Sequence, residues 1–156
     1  MYLTERFAKL VTGTSYADIP AAGVARAKDC ILDCLGVTIA GSAESISAPV
    51  MQYVHAVGGA NDATLVGIGG RTSVTNAALA NGVFGHVLDY DDTNQIFIGH
   101  GSVVVVPAIL ALAEKLGASG KDVLTAYMLG TEVQWKLGEA LVDCGDLHHD
   151  TPTLSL

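Results

Sequence analysis

The sequence predicts a mostly α-helical chain, and three observations carry that prediction. Apolar residues recur at three- and four-residue spacing in segment after segment. Capping residues, prolines and glycines fall at the segment ends. The one stretch that reads as extended, Ala63 to Ile68, is short and apolar and ends in a glycine pair.

The elements follow in order. Leu3, Phe7, Leu10 and Val11 lie on one face of a first helix that Gly13 closes. Pro20 suits the first turn of a second helix, with Asp18 upstream as its cap. Val24, Ala27, Ile31 and Leu35 form the expected inward stripe of that helix, which runs to Gly41. A third helix starts after Ser47 and ends at Gly58-Gly59, with Val50, Val54 and Val57 inward. Gly67-Ile-Gly-Gly-Arg matches no phosphate-binding glycine motif and reads as a turn. Ser73 caps a fourth helix over Val74 to His86, where Ala77, Ala78, Ala80, Gly82 and Gly85 predict a central, closely packed element. A polar loop, Asp89 to Gly101, leads to a fifth helix over Val103 to Leu116 with Pro107 in its first turns. Ser119 and Asp122 form a capping box for a sixth helix that reaches about Val142. Trp135, on that helix, reads as core or interface.

Composition limits the function classes. The 156 residues are half apolar and 15% charged, with a mean hydropathy of +0.42, so neighbours are expected to cover part of the surface. The longest apolar stretch, Val103 to Ala113, falls far short of the roughly 20 residues of a spanning helix, which argues against a membrane partner. No basic segment followed by an apolar one opens the chain, so a cytoplasmic or mitochondrial-matrix location is expected. A net charge of −8, with no basic run, argues against nucleic acid. Cys30, Cys34 and Cys144 make neither a CxxC pair nor an even framework, and Cys30 and Cys34 read as buried apolar filler.

The chemistry-bearing stretch is His86-Val-Leu-Asp-Tyr-Asp-Asp-Thr, followed by Gly99-His100-Gly101-Ser102. It puts Asp89, Asp91, Asp92, Thr93 and His100 on one interhelical loop. Carboxylates beside an imidazole can supply a proton donor and an acceptor, and the glycines around His100 let a substrate approach. Asp91 or Asp92 could equally cap the next segment. Asp-Tyr-Asp-Asp-Thr also matches the nucleophile loop of a haloacid-dehalogenase-like phosphatase, but that loop follows a buried strand, and the residues before Asp89 are helical in pattern. Three aspartates with His100 alone are an unspecific donor set for a divalent ion, and no metal is expected.

Several phrases, in order, resemble the N-terminal region of the MmgE/PrpD family, which includes 2-methylcitrate dehydratase and cis-aconitate decarboxylase. They are Ala27-Lys-Asp-Cys-Ile-Leu-Asp-Cys-Leu-Gly-Val-Thr-Ile-Ala-Gly, Ala63-Thr-Leu-Val-Gly, Asn76-Ala-Ala-Leu-Ala-Asn-Gly, His86-Val-Leu-Asp-Tyr-Asp-Asp-Thr and the segment Gly101 to Glu114. The resemblance covers nearly the whole chain, and it rests on the collinearity of the phrases. It implies an all-α fold: residues 1–156 would be the incomplete N-terminal part of a helical domain, stopping before an α/β lid, in a protein that is a homodimer when complete. It implies a cofactor-independent lyase for a small di- or tricarboxylate, 2-methylcitrate dehydratase first, then a cis-aconitate decarboxylase or an imino-dicarboxylate epimerase. Carried over residue by residue, Asp89 and His100 are catalytic and Thr93 binds substrate. His149, in a His-Asp-Thr phrase, is a further substrate-binding candidate. The sequence departs from the family pattern in a slightly longer stretch between Thr93 and His100, and in Gly101 where proline often follows. The family's cationic lysines come from further along, so this stretch alone is expected to be inactive. The contrasting expectation is a non-catalytic helical interaction fragment.

Overall fold

The computed structural model describes residues 2–95 and 99–143. In chain order they form α1 (Leu3–Gly13), a single 3-10 turn (Tyr16–Asp18), α2 (Ala21–Gly41), α3 (Ser47–Val57), strands β1 (Ala63–Thr64) and β2 (Arg71–Thr72), then α4 (Val74–His86), α5 (Gly101–Leu116) and α6 (Gly120–Asp143). The all-α class is as expected. The extended stretch contributes a short antiparallel hairpin in which Ala63 faces Thr72 and Thr64 faces Arg71.

Helix α4 is the centre, packed on both α2 and α5. Ala77, Ala80 and Phe84 are fully buried in it, and its small residues let two neighbours close in. A methyl group on Gly41 would sit 1.9 Å from the Phe84 carbonyl oxygen, so α2 and α4 meet backbone to backbone. A methyl on Gly85 would meet Val103 Cγ2 at 2.9 Å and Thr38 Oγ1 at 3.0 Å, one contact on α5 and one on α2.

That close approach moves the expected stripe of α2. The buried residues are Ala27, Cys30, Cys34, Thr38 and Gly41, while Val24, Ile31 and Leu35 are half-buried beside them. Spacing of three and four admits either row, and the crowded contact selects the row with smaller side chains. Cys30 and Cys34 are free thiols in the core with Val106 and Tyr127. Burial, reinforced by the nearby Asp92 charge, pushes the Cys34 thiol up to about 12, so it acts as apolar filler.

Other local expectations shift by a residue or a turn. Asp18 does not cap α2. Its carboxylate accepts from the Ser15 hydroxyl at 2.6 Å and N–H at 2.8 Å, and these bonds hold its pKa below the ordinary value. Pro20 then occupies the cap position itself. Val57, the last residue of α3, stays 57% exposed, because Gly58 turns the chain away with φ 67° before that residue meets a neighbour. Helix α5 begins at Gly101, two residues earlier than its apolar run suggests, which leaves Pro107 in the second turn. The Ser119–Asp122 box forms as expected: Ser119 donates to the Asp122 carboxylate and accepts from its N–H.

The hairpin is tied to the helices by polar groups. Asn81 accepts from the Val66 N–H and donates to the Thr64 carbonyl, both at 2.9 Å. Glu114 of α5 accepts from Thr64 Oγ1 at 2.7 Å and pairs with Arg71 at 2.8 Å. Partial burial raises the Glu114 pKa, but the Thr64 bonds and the Arg71 charge outweigh it and leave the group below its ordinary value. At the turn, Gly67 has φ 78°, and a methyl there would lie 2.0 Å from Ser42 Oγ, so glycine alone lets the hairpin tip touch the end of α2. Among the described residues no helix is long and apolar enough to cross a membrane.

Candidate active site

The site forms where α4 ends and α5 begins. His86 is the last residue of α4, and the Asp89 N–H donates to its carbonyl at 2.9 Å. Asp89 adopts φ 55°, a left-handed conformation that aspartate tolerates better than most residues. The turn sends the chain back under the helix end. A backbone bridge between Asn94 and Gly99 then closes the excursion and returns His100 to His86. The two rings meet edge to face, with centroids 4.7 Å apart.

Asp91 lies between them, its side chain only 1% exposed. Both its oxygens are 3.1 Å from His86 Nδ1, and Oδ2 is 3.1 Å from His100 Nδ1. The carboxylate accepts from His86 Nδ1, and it lies within ion-pair distance of His100 Nδ1. His100 Nε2 lies 3.4 Å from Oδ1 of Asp89, whose side chain is 78% exposed on the rim. One buried and one solvent-facing carboxylate therefore flank His100.

Asp92 points the other way. It accepts from the Ser102 N–H at 2.9 Å and hydroxyl at 2.6 Å, and so caps the start of α5. Ser102 also hydrogen-bonds the Tyr127 hydroxyl at 2.8 Å, and burial pushes that phenol's pKa upward. Of the two aspartates the sequence offered as caps, Asp92 is the cap and Asp91 the partner of the histidines. The residues before Asp89 are helix α4, not the strand a dehalogenase-like nucleophile loop requires.

Thr93 is exposed and opens on a cleft of about 280 Å³ between α2, the loop and α6. Arg26, Cys30, Asp92, Gly101, Tyr127 and Trp135 share its walls. Neither Asp89 nor His100 lines that cleft, although Gly101 joins the two places in the chain. The structure thus brings Asp89 and His100 together and sets Thr93 in the adjoining cleft, while His149 lies outside the described residues. It adds His86, which sequence reasoning had left without a role, and pairs it with Asp91, which the sequence offered as a loop carboxylate or a cap. Their signal was the five-residue step from His86 to Asp91, but only the turn at Asp89 converts that step into a contact. His86, Asp89, Asp91 and His100 each offer one donor atom, all within 4.8 Å of one another.

The family profile described as the MmgE/PrpD N-terminal domain matches residues 5–155. The cis-aconitate decarboxylase of Mus musculus is 35% identical over 140 residues, covering 86% of this chain and 28% of that protein. The cis-aconitate decarboxylase of Homo sapiens is 33% identical over 150 residues, covering 93% and 31% respectively. The cis-aconitate decarboxylase-like protein oryM of Aspergillus oryzae is 28% identical over 146 residues, covering 89% and 30%. The chain spans less than a third of the length of these curated relatives.

Proposed function

The chain belongs to the MmgE/PrpD family, and we propose that it supplies the proton-transfer part of a lyase acting on a small tricarboxylate-type acid. The observation that carries this reading is His100, held at 3.1 Å by the buried Asp91 and at 3.4 Å by the exposed Asp89 beside a substrate-sized cleft. In this reading Nε2 of His100 exchanges a proton at the carbon next to a substrate carboxylate. Asp91 stands beside the ring, and Asp89, at the mouth, tunes that nitrogen. Thr93 and Arg26, which share the cleft, hold a carboxylate of the substrate, with the guanidinium as the positive group in the cleft wall. Enolate-like charge that develops during the reaction is stabilised by such donors and by cations from the remainder of a complete enzyme. The reaction needs no organic cofactor, and the working enzyme is a homodimer.

The names of the relatives favour decarboxylation of cis-aconitate over dehydration of 2-methylcitrate, the reverse of the order expected from sequence phrases alone. The test is to assay the complete protein on both acids and to repeat it with His100→Ala. Loss of a positioned acid–base group costs about 10²–10⁴ in rate, so turnover of at least one acid is expected to fall by about a hundredfold or more. Turnover within a few-fold of wild type would remove His100 from the mechanism.

A further inference from the structure

The cluster at the loop has a second capacity. Two imidazole nitrogens with two carboxylate oxygens form a donor set suited to first-row divalent transition ions, zinc in particular. His86, Asp89, Asp91 and His100 bring such atoms within 4.8 Å of one another. The spacing is also that of ligands on one ion. Donors about 2.0–2.1 Å from a tetrahedral zinc stand roughly 3.4 Å apart, and Asp91 Oδ2 stands 3.1 Å from Nδ1 of both histidines. The widest separation in the set exceeds a tetrahedral edge. The Asp89 side chain, 78% exposed, and the His86 side chain, 41% exposed, have the freedom to close it.

We propose that His86, Asp89, Asp91 and His100 form a binding site for a divalent transition ion of the zinc type, built on the same histidine that exchanges the proton. The site itself rests on the donor geometry. Only its consequence, inhibition by occupation of the His100 ring, rests on the function proposed above.

Titrating Zn²⁺ alone into the purified protein, followed by calorimetry with circular dichroism as the check on folding, tests it. One ion per chain is the expected stoichiometry. Asp91→Asn and His100→Gln each remove a ligand and should each weaken affinity by about tenfold or more. Asp89→Asn alters an exposed side chain, so its loss of affinity is read without concern for folding. Absence of stoichiometric binding, or binding that both Asp89→Asn and His100→Gln leave unchanged, overturns the proposal. Binding that leaves turnover of the complete enzyme intact would support the metal site and count against His100 as the proton-exchanging group, so the two failures are distinguishable.

Discussion

The junction of α2, α4 and α5 and the face between α1 and α6 are both built from helices that carry apolar faces, yet they pack in opposite ways. At the junction, Gly41 brings α2 against the backbone of α4, Gly85 admits Val103 and Thr38, and the polar groups of Thr38, Asn76 and Asn81 are buried with partners. Along α1 no residue is buried, Leu3 and Val11 remain 56% and 46% exposed, and an open groove of about 650 Å³ runs between Val11, Tyr16, Leu129 and Val133. An apolar stripe is common to both regions. What separates them is side-chain size at the contact, which sets how closely two helix axes can come and whether water is excluded. The loop bearing His86, Asp91 and His100 springs from the tight region. That is why it can hold a carboxylate with its side chain 1% exposed between two rings.

The largest test of this contrast is Gly41→Ala. Its new methyl would meet the Phe84 carbonyl oxygen at 1.9 Å and Val87 Cγ1 at 2.7 Å, and the carbonyl cannot move without shifting α4. Overpacking of this kind costs about 1–3 kcal/mol or more, and the upper end is expected in denaturant unfolding. Gly36→Ala on the same helix is the control. Nothing lies within 4 Å of that position, so the better helix propensity of alanine should stabilise by up to about 1 kcal/mol. Equal effects at the two glycines would mean the backbone contact carries no weight.

A smaller effect is expected at the edge of the junction, where Glu114 ties α5 to the hairpin. Its pKa is lowered from 4.5 in the folded chain. The stability it adds is therefore complete above the unfolded value and is lost as pH falls through the lower folded value. Arg71 and Glu114 are 46% and 34% exposed, so solvent screening limits the ion pair to under about 1 kcal/mol. Unfolding curves of Glu114→Gln and wild type should differ at neutral pH and converge in acid. A difference that persists in acid would assign the effect to packing.

The smallest is Val11→Ser in the open groove, expected to change stability by less than about 0.5 kcal/mol because the side chain keeps much of its exposure. A loss near that of Gly41→Ala would show that the two regions are packed alike.

Much of the helical order was legible in the sequence because it is written locally. The Ser73 cap, the Ser119–Asp122 box and the stops at Gly13, Gly41 and Gly58 act within a turn of their own positions. The small residues of α4 likewise foretold its central place. Asp18 was read as the cap of α2 because position alone cannot tell which of two adjacent N–H groups a carboxylate will take, and Ser15 took it. Val57 was read as inward because periodicity marks a face without telling how far the neighbouring helix extends along it.

In the loop, the sequence by itself determined the residue types: carboxylates, an imidazole and flanking glycines between two helices. Capping and helix termination depend on residues three or four apart, so the ends of α4 and α5 were also readable to within about two residues. Only the tertiary structure decided the roles. Whether Asp91 or Asp92 caps α5, and whether His86 joins the site at all, depends on the left-handed turn at Asp89 and on how closely α4 and α5 pack. Contacts across a chain reversal are set by where two packed helices place the ends of the loop, and no local preference of the loop residues encodes that distance.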